Sequence, residues 1–300
     1  MTKNLDNEGL RSIAKYYDLF FIDIWGVIHN GLKLHEQAIK ALKELEKIKK
    51  NYVLLTNAPR PNKTVKIFLG NMGMEKNIQE KIYTSGEASL NYLKKKHSED
   101  IFYHIGPPRD FDLFIDFKKK KTEDINKCSY FLCTGLFDNY NDDLNYYKDL
   151  LNKFTTKKMI CTNPDLIVDR GEKRELCAGS VAMVFEKMGG EVIYFGKPFS
   201  EVYNQSFNTL NKKILSIGDN LNTDIKGANL QNYHSLLISN GIHKKEIINY
   251  GLEKVSKKSL LTVNLPSLGE WIDMTLKSEC SNWSPLSPIL LTTKSDLLTI

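Results

Sequence analysis

Residues 19–28 read LFFIDIWGVI, an apolar and aromatic run interrupted by one acid, Asp23. A run without polar alternation has no solvent-facing side, so it predicts a strand covered on both faces, as in a parallel sheet, that runs into a loop. An acid inside such a strand needs a reason. Beyond the turn at 29–31, Ala38, Ile39, Leu42, Leu45 and Ile48 recur at helical spacing and predict an amphipathic helix over 35–49. Residues 52–56 (YVLLT) predict a second buried strand, stopped at Asn57-Ala58-Pro59 because proline has no N–H for the ladder. Strand, helix, strand in that order implies a right-handed crossover and a doubly wound sheet, whose ligands bind beyond the strands' carboxyl ends.

The same grammar returns late in the chain. Strands are predicted at 191–195, 213–217 and 234–238, with helices over 200–210 and 224–230, and these read as the second half of the same core. Between the halves lies another alternation: strands at 101–105, 130–134 and 158–162, and helices over 142–154 and 178–187. The expected organisation is a core from 1–84, an inserted α/β domain over 85–188, the rest of the core over 189–276, and a loose tail at 277–300, where Ser, Pro and Thr mix with apolar residues without a period.

At 300 residues two domains are expected, and 41% hydrophobic with 26% charged residues is ordinary globular usage. The net charge of +6 comes mostly from Lys, including 94–96 and 118–121, which read as solvated faces. No nucleic-acid partner is expected, because neither a fold signature nor aromatics interleaved with Arg occur; a modest positive field suits phosphorylated small molecules equally well. Cys128, Cys133, Cys161, Cys177 and Cys280 form no CxxC pair and have no His at zinc spacing, so reduced, mainly buried thiols are expected. The first 18 residues carry acids and lack a signal-peptide core, and no apolar run reaches membrane-spanning length. The expectation is a cytoplasmic protein without a membrane partner; a homo-oligomer stays open.

Four short signals fall at the carboxyl ends of four predicted strands, where a doubly wound fold gathers them into one crevice. In FIDIWGVIHNG, Asp23 sits at a strand end and Gly26 permits a sharp turn near a ligand, so the aspartate is placed to attack phosphorus. In LLTNA, the Thr56 hydroxyl and the backbone N–H groups around Asn57 are candidate partners for phosphoryl oxygens; capping the next helix is the other role open to Thr56. In FGKPF, Lys197 either neutralises charge on nucleophile and phosphoryl group or is an ordinary surface lysine. In LSIGDNLNTD, Asp219 and Asp224 offer hard oxygen ligands for Mg²⁺, with a turn or capping role open for Asp224. A Rossmann dehydrogenase is excluded because no GxGxxG follows the first strand.

In this order, over 19–241, the four segments resemble motifs one to four of the haloacid dehalogenase (HAD) superfamily. The insertion between the second and third matches the cap of the class IIA branch that holds 4-nitrophenyl, pyridoxal and NagD-like phosphatases. The resemblance implies a Rossmann-like core with a cap over the site, an aspartyl-phosphate intermediate on Asp23, and Mg²⁺ held by Asp23, Asp219, Asp224 and the backbone carbonyl of Trp25. It implies a small-molecule phosphate ester or anhydride as substrate. The cap segment TNPDLIVDRG resembles the branch's signature and puts Asn163, Pro164 and Asp165 in a loop facing the site, with Asn163 and Asp165 as candidate substrate contacts; an Asx-Pro turn explains the same residues.

One departure stands out. Phosphatases of this superfamily mostly carry a second aspartate two residues after the nucleophile as general acid and base, and here that position is Trp25. The Asp-x-Trp-Gly-Val form resembles an uncharacterised subgroup of the branch. His29 is a candidate replacement, with packing or a backbone hydrogen bond as its other reading; Trp25 either packs under the cap or stacks on a flat substrate. Two functions are therefore carried forward: a Mg²⁺-dependent phosphatase, and a catalytically weak or inactive phospholigand-binding or scaffold protein.

Overall fold

The computed structural model describes residues 3–5, 9–170, 173–252, 254–255 and 289–292. The chain opens with β1 (Lys3–Asn4) and β2 (Leu19–Ile22), crosses through a helix at Glu36–Lys47 to β3 (Asn51–Thr56), and through a helix at Asn62–Asn71 to β4 (Ile82–Thr84). After a helix at Ser85–Lys96 come β5 (Phe102–Ile105), β6 (Lys121–Thr122), β7 (Tyr130–Cys133) and β8 (Lys158–Cys161), then β9 (Ile167–Arg170), β10 (Lys173–Leu176), a helix at Ala178–Lys187 and β11 (Glu191–Tyr194). A helix at Ser200–Ser206 leads to β12 (Ile214–Gly218), β13 (His234–Ile238) and β14 (Ile289–Thr292).

Two parallel sheets result. The larger has the order β1-β14-β13-β12-β2-β3-β4, the smaller β11-β8-β7-β5-β6, and β9 with β10 forms a separate antiparallel hairpin. This is the mixed α/β, Rossmann-like arrangement expected. Strand β2 shows why it forms: successive side chains point to opposite faces, and all four of its residues are buried. Phe20 and Ile22 pack with Leu42 and Leu45 of the Glu36–Lys47 helix, while Leu19 and Phe21 pack with Leu93, Val202 and Tyr203 on the other side. Helices cover both faces, and each fully buried Phe or Leu contributes roughly 1.5–3 kcal/mol of transfer free energy.

Two expectations are corrected. Residues 191–194, read as opening the second half of the core, belong to the smaller sheet, with Ile193 opposite Ile160 of β8. The β8–helix–β11 crossover places its second strand beside its first, and only then does the chain return through Gly196 at φ +121°. The tail read as loose contains β14, which lies between β1 and β13 with Leu290 opposite Leu236. Its Ile-Leu-Leu run meets the ladder groups that β13 would otherwise leave unpaired at a sheet edge; the rest of 277–300 lies outside the described residues. Cys128, Cys133, Cys161 and Cys177 are free and buried, and Cys280 is outside the described residues. No helix among the described residues is long and apolar enough to cross a membrane.

Candidate active site

Adjacent strands that end in step put their following residues side by side. β12 pairs with β2 so that Ile217 faces Ile22, and the Asp23 N–H donates to the Ile217 carbonyl at 2.8 Å. Asp23 and Asp219 thus flank one spot, and Asp224 reaches it from the turn over Leu221–Ile225. All three are buried, and one carboxylate oxygen from each lies within 4.8 Å of the others. Glycines make the room. A Cβ on Gly26, at φ +82°, would stand 2.3 Å from Asp219 Oδ2, and one on Gly218 would stand 2.0 Å from Asp224 Cγ. Backbone donors fix the acids: Ile242 N–H to Asp219 Oδ2 at 2.9 Å, and Asn220 N–H to Asp224 Oδ2 at 3.1 Å.

Lys197 is no surface lysine; it is 3% exposed. Its ammonium makes a short ion pair with Asp23 Oδ1, a second with Asp224 Oδ1 at 2.7 Å, and donates to the Leu55 carbonyl at 2.9 Å. Burial works against its charge, but Asp224 and Asp23 outweigh burial and hold the ammonium above its ordinary pKa. Three buried carboxylates against one ammonium leave a deficit of two positive charges. Burial pushes the Asp23 carboxyl well up, with Asp224 and Asp219 adding to it and Lys197 opposing; burial and Asp224 push Asp219 up to about 7. Hard oxygen donors converging in a space short of positive charge fit Mg²⁺.

A thermal consequence follows. The acids must be ionised to hold a divalent cation, so protons compete with metal. Mg²⁺ at about 100 times its Kd should stabilise the fold by about 2.7 kcal/mol, and the rise in Tm should grow from pH 5.5 to pH 8 as Asp219 loses its proton. Calorimetry with and without Mg²⁺ measures it; an increment that does not change with pH would contradict the carboxylate set.

The remaining expected residues fall into two groups. Thr56 lines the cleft, and its Oγ1 also accepts the Ala58 N–H at 3.2 Å. Asn57 lines it too, but its amide is engaged: Nδ2 donates to Asp165 Oδ1 and to the Lys197 carbonyl, both at 3.0 Å, and Oδ1 accepts the Lys197 N–H at 2.7 Å. It ties the lysine loop to the loop after β8. Asp165 is half-buried on the wall, and burial raises its carboxyl to about 6. Asn163 does not line the cleft, contrary to expectation. Its Oδ1 accepts the Asp165 N–H at 3.0 Å, the Asx turn that a following proline favours.

Trp25 lines the cleft, and its indole N–H donates to the Asp169 carbonyl on β9 at 2.9 Å. His29 stands edge-on to that indole at 4.9 Å, 2% exposed, with Nδ1 accepting the Gly31 N–H at 2.8 Å. Burial, with His35 assisting, lowers its pKa to about 4, and it is not on the cleft wall. The β9–β10 hairpin, which brings Ile167 and Val168 to the cleft, is not among the strands expected from the sequence. Its signal was present: Ile167-Val168 and Leu176-Cys177 bracket the polar, glycine-containing stretch DRGEKRE, a hairpin-turn composition. His35, Asn240 and Gly241 were also missed, and for Gly241 the reason is purely spatial, since a Cβ there would stand 2.1 Å from Asp219 Oδ2.

Comparison with known proteins gives the same picture from outside. Residues 20–117 match the family described as haloacid dehalogenase-like hydrolase, and 194–258 match a second HAD-hydrolase-like family. The chain is 23% identical over 268 residues to the 5'-nucleotidase YutF of Bacillus subtilis (strain 168), covering 86% of this chain and 98% of that protein. It is 24% identical over 269 residues to phosphoglycolate phosphatase 2 of Arabidopsis thaliana, covering 79% and 88%. Among solved structures, a haloacid dehalogenase-like hydrolase from Brucella suis 1330 is 30% identical with a TM-score of 0.71, covering 79% of this chain and 90% of that one.

Proposed function

Because the chain belongs to the haloacid dehalogenase-like hydrolase family, we propose that it is a Mg²⁺-dependent phosphatase of small phosphate monoesters working through an aspartyl phosphate on Asp23. The two curated relatives are a nucleotidase and a phosphoglycolate phosphatase, which supports phosphate-ester hydrolysis as the reaction class. The observation that carries the proposal is the Asp23–Lys197–Asp224 ion-paired group at the floor of the cleft, with Asp219 beside it.

Asp23 attacks phosphorus in line, the ester P–O bond breaks with its electron pair leaving on the alcohol oxygen, and water then hydrolyses the acyl phosphate. Lys197 stays charged throughout and neutralises the nucleophile and the phosphoryl oxygens, a preorganised electrostatic contribution. Bound Mg²⁺, held by Asp23, Asp219, Asp224 and the Trp25 carbonyl, would supply further charge neutralisation. The five-stranded unit, residues 85–188 with β11, serves as the cap, and Thr56 and Asp165 contact the substrate.

Neither the position two residues after Asp23 nor His29 supplies a proton for the leaving group. Trp25 has none to give, and His29, held near pKa 4 and accepting the Gly31 N–H, is uncharged at neutral pH and off the cleft wall. A missing general acid typically costs about 10²- to 10⁴-fold, and the loss is smallest where the leaving group departs as a stable anion. Aryl and acyl phosphates are therefore expected to turn over at least about 10²-fold faster than alkyl esters. Release of phosphate from 4-nitrophenyl phosphate and glycerol phosphate, with and without Mg²⁺, measures this; equal rates would defeat it. Trp25 also favours one second reading, a phospholigand-binding protein without turnover, and the absence of metal-dependent release across a panel of esters would select it.

A further inference from the structure

Resting on the phosphatase reading, we infer that the alcohol half of the substrate is small and apolar or aromatic and carries no anionic group of its own. The cleft above the carboxylates measures about 270 Å³, at the low end for small-molecule sites. A phosphoryl group beside Lys197 leaves space for little more than one ring. The walls facing that space are Trp25 and Val27 on the loop after β2, Ile167 and Val168 on β9, and Ile238 and Ile242 at and beyond the end of β13. The Trp25 indole is held in place by its bond to the Asp169 carbonyl, so the wall is a fixed aromatic surface.

Charge points the same way. Besides the three clustered acids, the cleft is lined by Asp165 and Asp169. Among the described lining residues Lys197 is the only Lys or Arg, and its ammonium already serves Asp23, Asp224 and the Leu55 carbonyl. The Arg174 guanidinium on β10 is held by both oxygens of Asp169, at 2.7 and 3.0 Å. His35, also on the wall, is kept below its ordinary pKa by burial and by Lys33 and is uncharged at neutral pH. Arg174 offsets Asp169, so a carboxylate or second phosphate on the alcohol half would meet the Asp165 carboxylate and find no unengaged Lys or Arg among the described lining residues, and like charges brought together there are rejected.

Phenyl phosphate and 4-carboxyphenyl phosphate test this. The carboxylate makes the phenol a slightly better leaving group, so leaving-group chemistry favours the second ester while the cleft's charge favours the first. The expected result is a kcat/KM at least about tenfold lower for the carboxylated ester. The corresponding non-hydrolysable phosphonates, titrated calorimetrically with Mg²⁺, should show the same ratio in affinity. Val168→Lys, which adds a cation to the wall, should narrow or reverse both ratios. Equal kcat/KM and equal phosphonate affinity would overturn the inference. Discrimination between the phosphonates without turnover of either ester would uphold it and overturn the phosphatase reading instead, and failure of both phosphonates to bind would overturn the two together.

Discussion

Asp23→Asn should lose turnover by about 10⁴-fold or more, the scale seen when a nucleophile is removed from a group that acts as a unit, and should yield no trappable phosphoenzyme. The amide is nearly isosteric and keeps an oxygen for Lys197, so the loss belongs to chemistry, since an amide is a poor nucleophile toward phosphorus. Stability should move differently. In the metal-free protein Asp23 is a buried carboxylate pressed by burial and by Asp224 and Asp219, with only Lys197 in its favour. Neutralising it relieves repulsion, so the metal-free Tm is expected to stay level or rise while Mg²⁺ protection weakens. Turnover within tenfold of the parent protein would remove Asp23 as nucleophile. A fall in both activity and metal-free Tm would instead mark a general structural defect.

Lys197→Met should produce the largest change in stability. The ammonium is the described cation in contact with the acid cluster, paired with Asp23 and Asp224 and donating to the Leu55 carbonyl. Removing one partner of a buried charge group costs about 3–5 kcal/mol, because what remains is uncompensated charge. Methionine keeps most of the volume, so the loss reads out electrostatics rather than a cavity. Two signatures distinguish this from generic damage. The deficit in urea unfolding should shrink at pH 5.5, where protons neutralise the raised carboxyls, and it should shrink on adding Mg²⁺, which supplies the missing charge. A deficit indifferent to both would show that Lys197 acts through packing. Activity should fall by about 10²- to 10³-fold even with saturating Mg²⁺.

Much of the fold was legible because its signals are local. The unbroken LFFI of β2 and VLLT of β3 need no partner to declare a strand buried on both faces, and the spacing of Ala38, Leu42 and Leu45 declares a helix. Strand membership was not legible. Residues 191–194 look the same whether they pair with β8 or with a core strand, and only the crossover decides. For 289–292 an apolar run among Ser, Thr and Pro has no period to mark it, and its ladder partners are 54 residues upstream, as in the pairing of Ile289 with Ser235.

The site divides along the same line. Asp23, Lys197, Asp219 and Asp224 announced themselves by type and by position after strands, because acids and a lysine in such places are unusual enough to need a reason. Asn57 and Asn163 show the limit: the backbone N–H groups around Asn57 were legible as candidate donors, but not that its amide ties Asp165 to Lys197, nor that Asn163 turns back on the Asp165 N–H. The sequence by itself determined the strands that carry the site, β2, β3, β11 and β12, and which residues stand at their carboxyl ends, since hydrophobic period and residue chemistry act over a few neighbours. Only the tertiary structure decided that Trp25 would be bonded to Asp169 144 positions away, that Gly241 must leave room for Asp219, and that the cleft would be walled by apolar groups and acids. Those are relations between segments remote in the chain, set by how sheets and hairpin pack and not by any pattern within one of them.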